Sequence, residues 1–215
     1  MRKHVLSRWI GRLFGWLLER LYRELAFAYE WVAWAVSAGR WAGWRRLAAP
    51  HLRGRRILEI GFGTGELFLT LREAGFDVSG ADFSMSMALL LRRKLVRSGE
   101  PAGRITRARA QQLPYAHGAF DSVVFTFAAG YAMDPHTYVE VRRVLRPGGR
   151  LIVVDGGFSL PGRVGMALQR LLFGETDAGL LGYEVRIREA GFDVSIEHRD
   201  GRFLGVYIII AEKPA

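Results

Sequence analysis

The alternation of apolar and polar positions divides the chain into two stretches. Over residues 5–25, Leu6, Ile10, Leu13, Trp16, Leu17, Leu21 and Leu25 recur at the spacing of one helix face, and Arg8, Arg12, Gly15, Glu19 and Arg23 mark the other. That predicts an amphipathic helix. A second helix is predicted over 27–38, stopped by Gly39, and a short third over 40–48, stopped by Pro50. From residue 55 short apolar runs alternate with segments of helical period. Strands are predicted over 56–60, 77–82, 105–109, 121–127 and 151–155. Helices over 64–74, 84–98 and 134–145 separate them, with Ser84 as an N-cap and Pro135 in a first turn. A loop containing Pro114 spans 110–119, and Pro147-Gly148-Gly149 reads as a turn. The last third predicts a cover helix over 162–173 and a helix over 182–190 ended by Gly191. Strands over 193–198 and 203–212 follow, joined at Asp200-Gly201. The repeated β–α order implies a parallel sheet covered on both faces, and the closing hairpin makes the last strand antiparallel to its neighbours.

Charge follows the same division. The 215 residues carry a formal charge of +10. Residues 1–56 hold twelve Arg/Lys against three acids, a net +9, and all six tryptophans: Trp9, Trp16, Trp31, Trp34, Trp41 and Trp44. The remainder is close to neutral. Residues 1–54 therefore read as a basic, Trp-rich helical extension and 55–215 as an α/β domain. The absence of cysteine excludes a disulfide scaffold, a thiolate metal site and a cysteine nucleophile, with a cytoplasmic location as the default. The basic start lacks the uninterrupted apolar core of a signal peptide. The longest apolar stretch, 25–38, contains Glu30 and is shorter than the roughly 20 residues of a membrane span.

Candidate chemistry begins where the first strand ends, at Glu59-Ile60-Gly61-Phe62-Gly63-Thr64-Gly65. Glycines there let the backbone turn sharply and approach a ligand beyond the carboxyl ends of the strands. Such loops bind several nucleotides, and two acids narrow the choice. Glu59, two residues before the first glycine, suits a cofactor bearing an ammonium and a sulfonium better than a pyrophosphate. Asp82, closing the second strand, is placed to accept ribose hydroxyls, with Phe83 beside it as a face for adenine. The spacing Gly61-x-Gly63-x-Gly65 departs from the G-x-G-x-x-G of NAD sites. No metal-ligand or Ser/His/Asp spacing is present, and His4, His51, His117, His136 and His198 are scattered.

These segments, with Ala110–Pro114 as a 110–114 loop, Ala119-Phe120-Asp121 and Arg143-Val144-Leu145-Arg146-Pro147-Gly148-Gly149, stand in the order seen in class I S-adenosylmethionine-dependent methyltransferases. The chain most resembles the group of quinone-biosynthesis C-methyltransferases and phosphatidylethanolamine N-methyltransferases, from about Arg55 to the C-terminus. The resemblance implies a Rossmann-like, seven-stranded, mostly parallel α/β sheet with an antiparallel last strand and S-adenosylmethionine as cofactor. It implies that Glu59, Gly61, Phe62, Gly63 and Gly65 line the methionine half of the cofactor. Asp82 would hold the ribose, Phe83, Ala110 and Gln111 would flank adenine, and Phe127 and Ala128 would face the reactive end. Two positions depart from the pattern. Arg109 replaces the acid that usually precedes the alanine, and Tyr131 stands where a histidine is frequent. Tyr131, His136 and Tyr29 are the candidate proton acceptors, each with packing or surface placement as its plain alternative.

The extension admits three roles: a helical cap on the domain with its arginines solvated, an anchor on an anionic membrane surface through residues 1–47, or a nucleic-acid contact. Leu and Ile beside the tryptophans disfavour nucleic acid. An anchor would place the protein peripherally on the inner membrane surface and imply a lipid-like acceptor: a quinone precursor, a phospholipid headgroup or another apolar metabolite. Two further alternatives are a membrane-associated cofactor-binding protein without catalysis and a nucleic-acid methyltransferase. The latter lacks its proline-rich motif, since Phe127-Ala128-Ala129-Gly130 stands there.

Overall fold

The computed structural model describes residues 41–101, 104–127, 130–158, 177–199 and 204–215. The helices predicted over 5–25, 27–38 and 162–173, the Asp200-Gly201 turn, and the site candidates Tyr29 and Ala128 lie outside them.

The described chain opens with a short helix α1 (Trp41–Arg46) and a 3-10 turn (Ala49–His51). Helix α1 ends at Arg46, two residues short of the predicted end at 48 and before Pro50. Pro50 occupies the first turn of the separate 3-10 segment, where its missing N–H is not needed. Then come β1 (Arg56–Ile60), α2 (Glu66–Glu73), β2 (Asp77–Asp82), α3 (Met85–Arg97), β3 (Ile105–Arg107) and β4 (Phe120–Thr126). After a 3-10 turn (Gly130–Met133) follow α4 (Pro135–Val144), β5 (Leu145–Phe158), α5 (Asp177–Glu189), β6 (Asp193–Arg199) and β7 (Leu204–Glu212).

The seven strands form one sheet in the order β3-β2-β1-β4-β5-β7-β6. Pairing is parallel from β3 through β5, and β7 runs antiparallel to both β5 and β6. The chain steps outward from β1 to β3 and returns to β4 on the other side of β1. That reversal opens a crevice beyond the carboxyl ends of β1 and β4, where such sheets bind ligands.

Strand alternation sorts side chains between two cores. Ile57, Val78, Val124, Ile152 and Ile208 pack with Leu67, Phe68 and Leu71 of α2 and Met87, Leu91 and Leu95 of α3, with Ala48 below α1. Leu58, Val123, Phe125, Leu151, Val153 and Ile209 face Tyr138 and Val141 of α4 and Tyr183 and Ile187 of α5. Helices therefore cover both faces. Each fully buried Leu, Ile or Phe contributes about 1.5–3 kcal/mol.

Several boundaries differ from prediction. Thr64 is not helical, because Gly65 takes a left-handed conformation (φ +82°) and α2 starts after it. Strand β3 stops at Arg107, two residues early, because the chain turns back so that Gln112 N–H donates to the Arg109 carbonyl (3.0 Å). The predicted Pro147–Gly149 turn is part of a strand that begins at Leu145. Leu145 pairs with Phe120, the register then shifts, and Gly148 and Gly149 exchange hydrogen bonds with Lys213. Helix α5 starts at Asp177 rather than 182.

Candidate active site

The loop after β1 is built by three interactions. Gly61 N–H donates to the Ala81 carbonyl (2.8 Å), Gly65 N–H to the Phe62 carbonyl (2.9 Å), and Gly63 N–H to Asp82 Oδ2 (3.0 Å). Gly61 is left-handed (φ +69°), and a Cβ there would stand 2.4 Å from the Tyr131 hydroxyl. At Gly63 a Cβ would meet nothing within 4 Å, so space adjoins the loop. Asp82 is buried, and its Oδ1 also accepts Ser84 N–H (2.8 Å), fixing the start of α3. The carboxylate thus clamps the loop to β2.

Glu59 lies beneath the loop, 1 % exposed. Burial pushes its carboxyl up to about 8, the Arg45 charge lowers it, and the Asp82 charge raises it. Its Oε2 and the Thr64 hydroxyl are buried with no hydrogen-bond partner among the described residues. A native protein rarely leaves such atoms unsatisfied, so they mark the place of a ligand donor. An ammonium fits: it brings N–H donors and a charge that favours the ionised carboxylate. These residues therefore suit the amino-acid end of the implied cofactor.

Other sequence candidates fall in different places. Phe62 is buried in the α2–α3 core, its ring within 2.7 Å of where a Gly80 Cβ would stand, so only its backbone faces the loop. Ala110 is buried in the opposite core, and the Gln111 side chain reaches Asp134. The tight turn at Arg109–Gln112 (109–112) sets both directions. An open cleft of about 510 Å³ is lined instead by Phe83, Arg107, Ala108, Arg109, Gln112, Leu113 and Pro114. Phe83 is 52 % exposed there.

Phe127, just past β4, has φ +52°, a left-handed conformation that a bulky residue adopts only under constraint. Its N–H donates to the Val154 carbonyl (2.8 Å), and its ring lies 6.1 Å from Trp44. Tyr131 packs edge-on against Phe125, and its hydroxyl donates to the Ile60 carbonyl (3.0 Å). That bond braces the end of β1. His136 is exposed and bonded through Nδ1 to Asp134, the N-cap of α4 (2.9 Å). Among the described residues, no group of three or more His, Cys, Asp or Glu is placed to hold a metal.

Two residues at the site were missed in the sequence. Trp44 and Arg45 belong to the extension, whose arginines were expected to be solvated. Arg45 is 7 % exposed and its charge acts on Glu59. Helical periodicity places a residue on a face but does not reveal what that face covers.

Comparison with known proteins supplies the class. A family model described as a methyltransferase domain matches residues 58–153. The chain is 37 % identical over 156 residues to a demethylmenaquinone methyltransferase of Thermus thermophilus, covering 67 % of this chain and 70 % of that one. It is 30 % identical over 156 residues to a ubiquinone/menaquinone biosynthesis C-methyltransferase of Geotalea daltonii, covering 68 % of this chain and 65 % of that one. Among solved structures, a geranyl diphosphate C-methyltransferase from Streptomyces coelicolor aligns with TM-score 0.62 at 13 % identity, over 80 % of this chain and 79 % of that one. The cyclase SpnF aligns with TM-score 0.64 at 18 % identity, over 81 % of each chain. These two show the fold alone, and a cyclase among them illustrates that the fold does not fix the chemistry. The chain belongs to the class I S-adenosylmethionine-dependent methyltransferases. Within that class it falls in the quinone-biosynthesis group, and its cofactor is S-adenosylmethionine.

Proposed function

We propose that this protein transfers a methyl group from S-adenosylmethionine to carbon of a quinone precursor, in a pocket reached beyond the carboxyl ends of β1 and β4. The observation that carries the site is the buried Glu59, with an oxygen lacking a partner, beneath a glycine loop held by Asp82. The quinone-type acceptor rests on the 37 % identity to a protein named for that substrate.

When bound, the cofactor supplies an activated methyl and its own leaving group. The protein's part is to orient and to exclude water. Glu59 holds the ammonium, Asp82 the ribose hydroxyls, and the backbone of 61–65 the methionine chain. The Phe83 cleft receives the purine. Phe127, held in its strained conformation with Trp44 across from it, walls the side where an apolar acceptor approaches. Residues 1–54 act as a cap on the methyltransferase domain of 55–215. Their basic, Trp-rich face also suits the surface of an anionic membrane, where a quinone precursor resides.

Calorimetry of the full chain with S-adenosylhomocysteine tests the site. Asp82→Ala should weaken binding at least about tenfold, and Asp82→Asn, which keeps the shape, by less. Unchanged affinity in both variants would remove Asp82 from the site. Turnover with a demethylated quinone and not with phosphatidylethanolamine supports the acceptor; the opposite preference replaces it.

A further inference from the structure

The purine cleft has a charge pattern that its class resemblance does not account for. An acid before Ala110 would accept an N–H from the 6-amino group of adenine. This chain has Arg109, whose guanidinium carries five donors and no acceptor. Opposed to a 6-amino group, it leaves donor facing donor. Opposed to a 6-oxo purine, it meets O6 and N7, two acceptors spaced for a bidentate guanidinium, as in arginine pairing with guanine.

The side chain is positioned for that role. Arg109 lies over the exposed face of Phe83, 5.0 Å from the ring centroid, and lines the same cleft. Arg107 lies 5.3 Å from the same ring but is tethered, its Nε donating to the Phe83 carbonyl (3.1 Å). Among the described residues, the Arg109 guanidinium makes no hydrogen bond or ion pair. A purine entering against Phe83 therefore meets the Arg109 guanidinium in the same cleft.

We propose that Arg109 sets the nucleobase selectivity of this site, so that it accepts hypoxanthine as readily as adenine on the same homocysteine nucleoside. This rests on the placement of the cofactor given above.

The experiment is calorimetry of the full chain with S-adenosylhomocysteine and S-inosylhomocysteine, for the native protein, Arg109→Asp and Arg109→Gln. Arg109 is exposed, and thermal melting confirms that the variants are folded. In the native protein the inosine compound should bind within about threefold of the adenosine compound, or tighter. Arg109→Asp should shift the ratio toward adenosine by at least about tenfold, and Arg109→Gln by less. A native preference for adenosine of about tenfold or more, or a ratio unmoved in both variants, overturns the proposal. Binding of neither nucleoside to folded native protein refutes the cofactor placement itself, a result distinct from rejection of the inosine compound alone.

Discussion

Glu59 concentrates the tension of the site in one side chain. Its folded-state carboxyl stands at about 8, against 4.5 in an unfolded chain, chiefly because it is buried. Between those values the folded protein holds a proton that the unfolded chain has lost, so stability of the free protein falls as pH rises from about 4.5 toward 8. Glu59→Gln should flatten that decline, as urea denaturation at pH 5 and pH 8 would show. The same proton reports on binding. At pH 7 an ammonium arriving at Glu59 should expel about one proton, read by calorimetry in buffers of different ionisation enthalpy, and Glu59→Gln should abolish it. Gly61 is the other sharply constrained position. Gly61→Ala requires a left-handed alanine pressed on the Tyr131 hydroxyl, and should cost about 1–3 kcal/mol in chemical denaturation. The need for Gly61, Gly65, Glu59 and Asp82 was legible in the sequence, because each serves a local turn or strand end. The orientations of Ala110 and Gln111 were not, because a turn set by the Arg109–Gln112 pairing (109–112) decides them.

At the scale of elements, strand and helix order followed from periodicity, and errors gathered at ends. Capping was readable: Ser84 accepts Met87 N–H and Asp134 accepts His136 N–H, as short polar residues at N-caps do. The start of β5 was not, since Leu145 joins the sheet only because Phe120 lies beside it. Asp121 pins β1 to β4 at the opposite end of the sheet from the site. It accepts the Arg55 and Arg56 N–H groups (2.9 Å each) and the Arg56 guanidinium (2.9 Å). Partial burial raises its carboxyl, but these bonds outweigh it and bring it to about 2. Its stabilisation is therefore full above about 3.8 and lost as pH falls through about 2. Asp121→Ala should cost about 2–4 kcal/mol at neutral pH with the cofactor affinity of the remaining folded protein unchanged. Helix α1 joins the extension to the site through Trp44 and Arg45. Arg45→Met removes the charge that lowers Glu59, so proton release on cofactor binding should persist to higher pH than in the native protein.

Over the whole molecule, charge and site stand in a consistent relation. Part of the positive excess of residues 1–56, Arg45 and Arg46, lies in α1, which packs beside α2. Among the described residues no helix is long and apolar enough to cross a membrane. The membrane-surface role proposed for the basic extension is tested by liposome co-sedimentation. Full-length protein should sediment with anionic vesicles and release as salt rises, and removal of residues 1–25 should weaken this. Equal sedimentation of both forms would leave the extension a cap.

The sequence by itself determined the order of elements, the glycine loop, the two acids that bracket it and hence the cofactor class, because these depend on local turns and on spacing along single strands. Only the tertiary structure decided which side chains share the site. It turned Phe62 into the core, placed Arg109 on the face of Phe83, and buried Arg45 where its charge acts on Glu59. Those outcomes depend on segments far apart in the chain, brought together by the return of β4 to the side of β1.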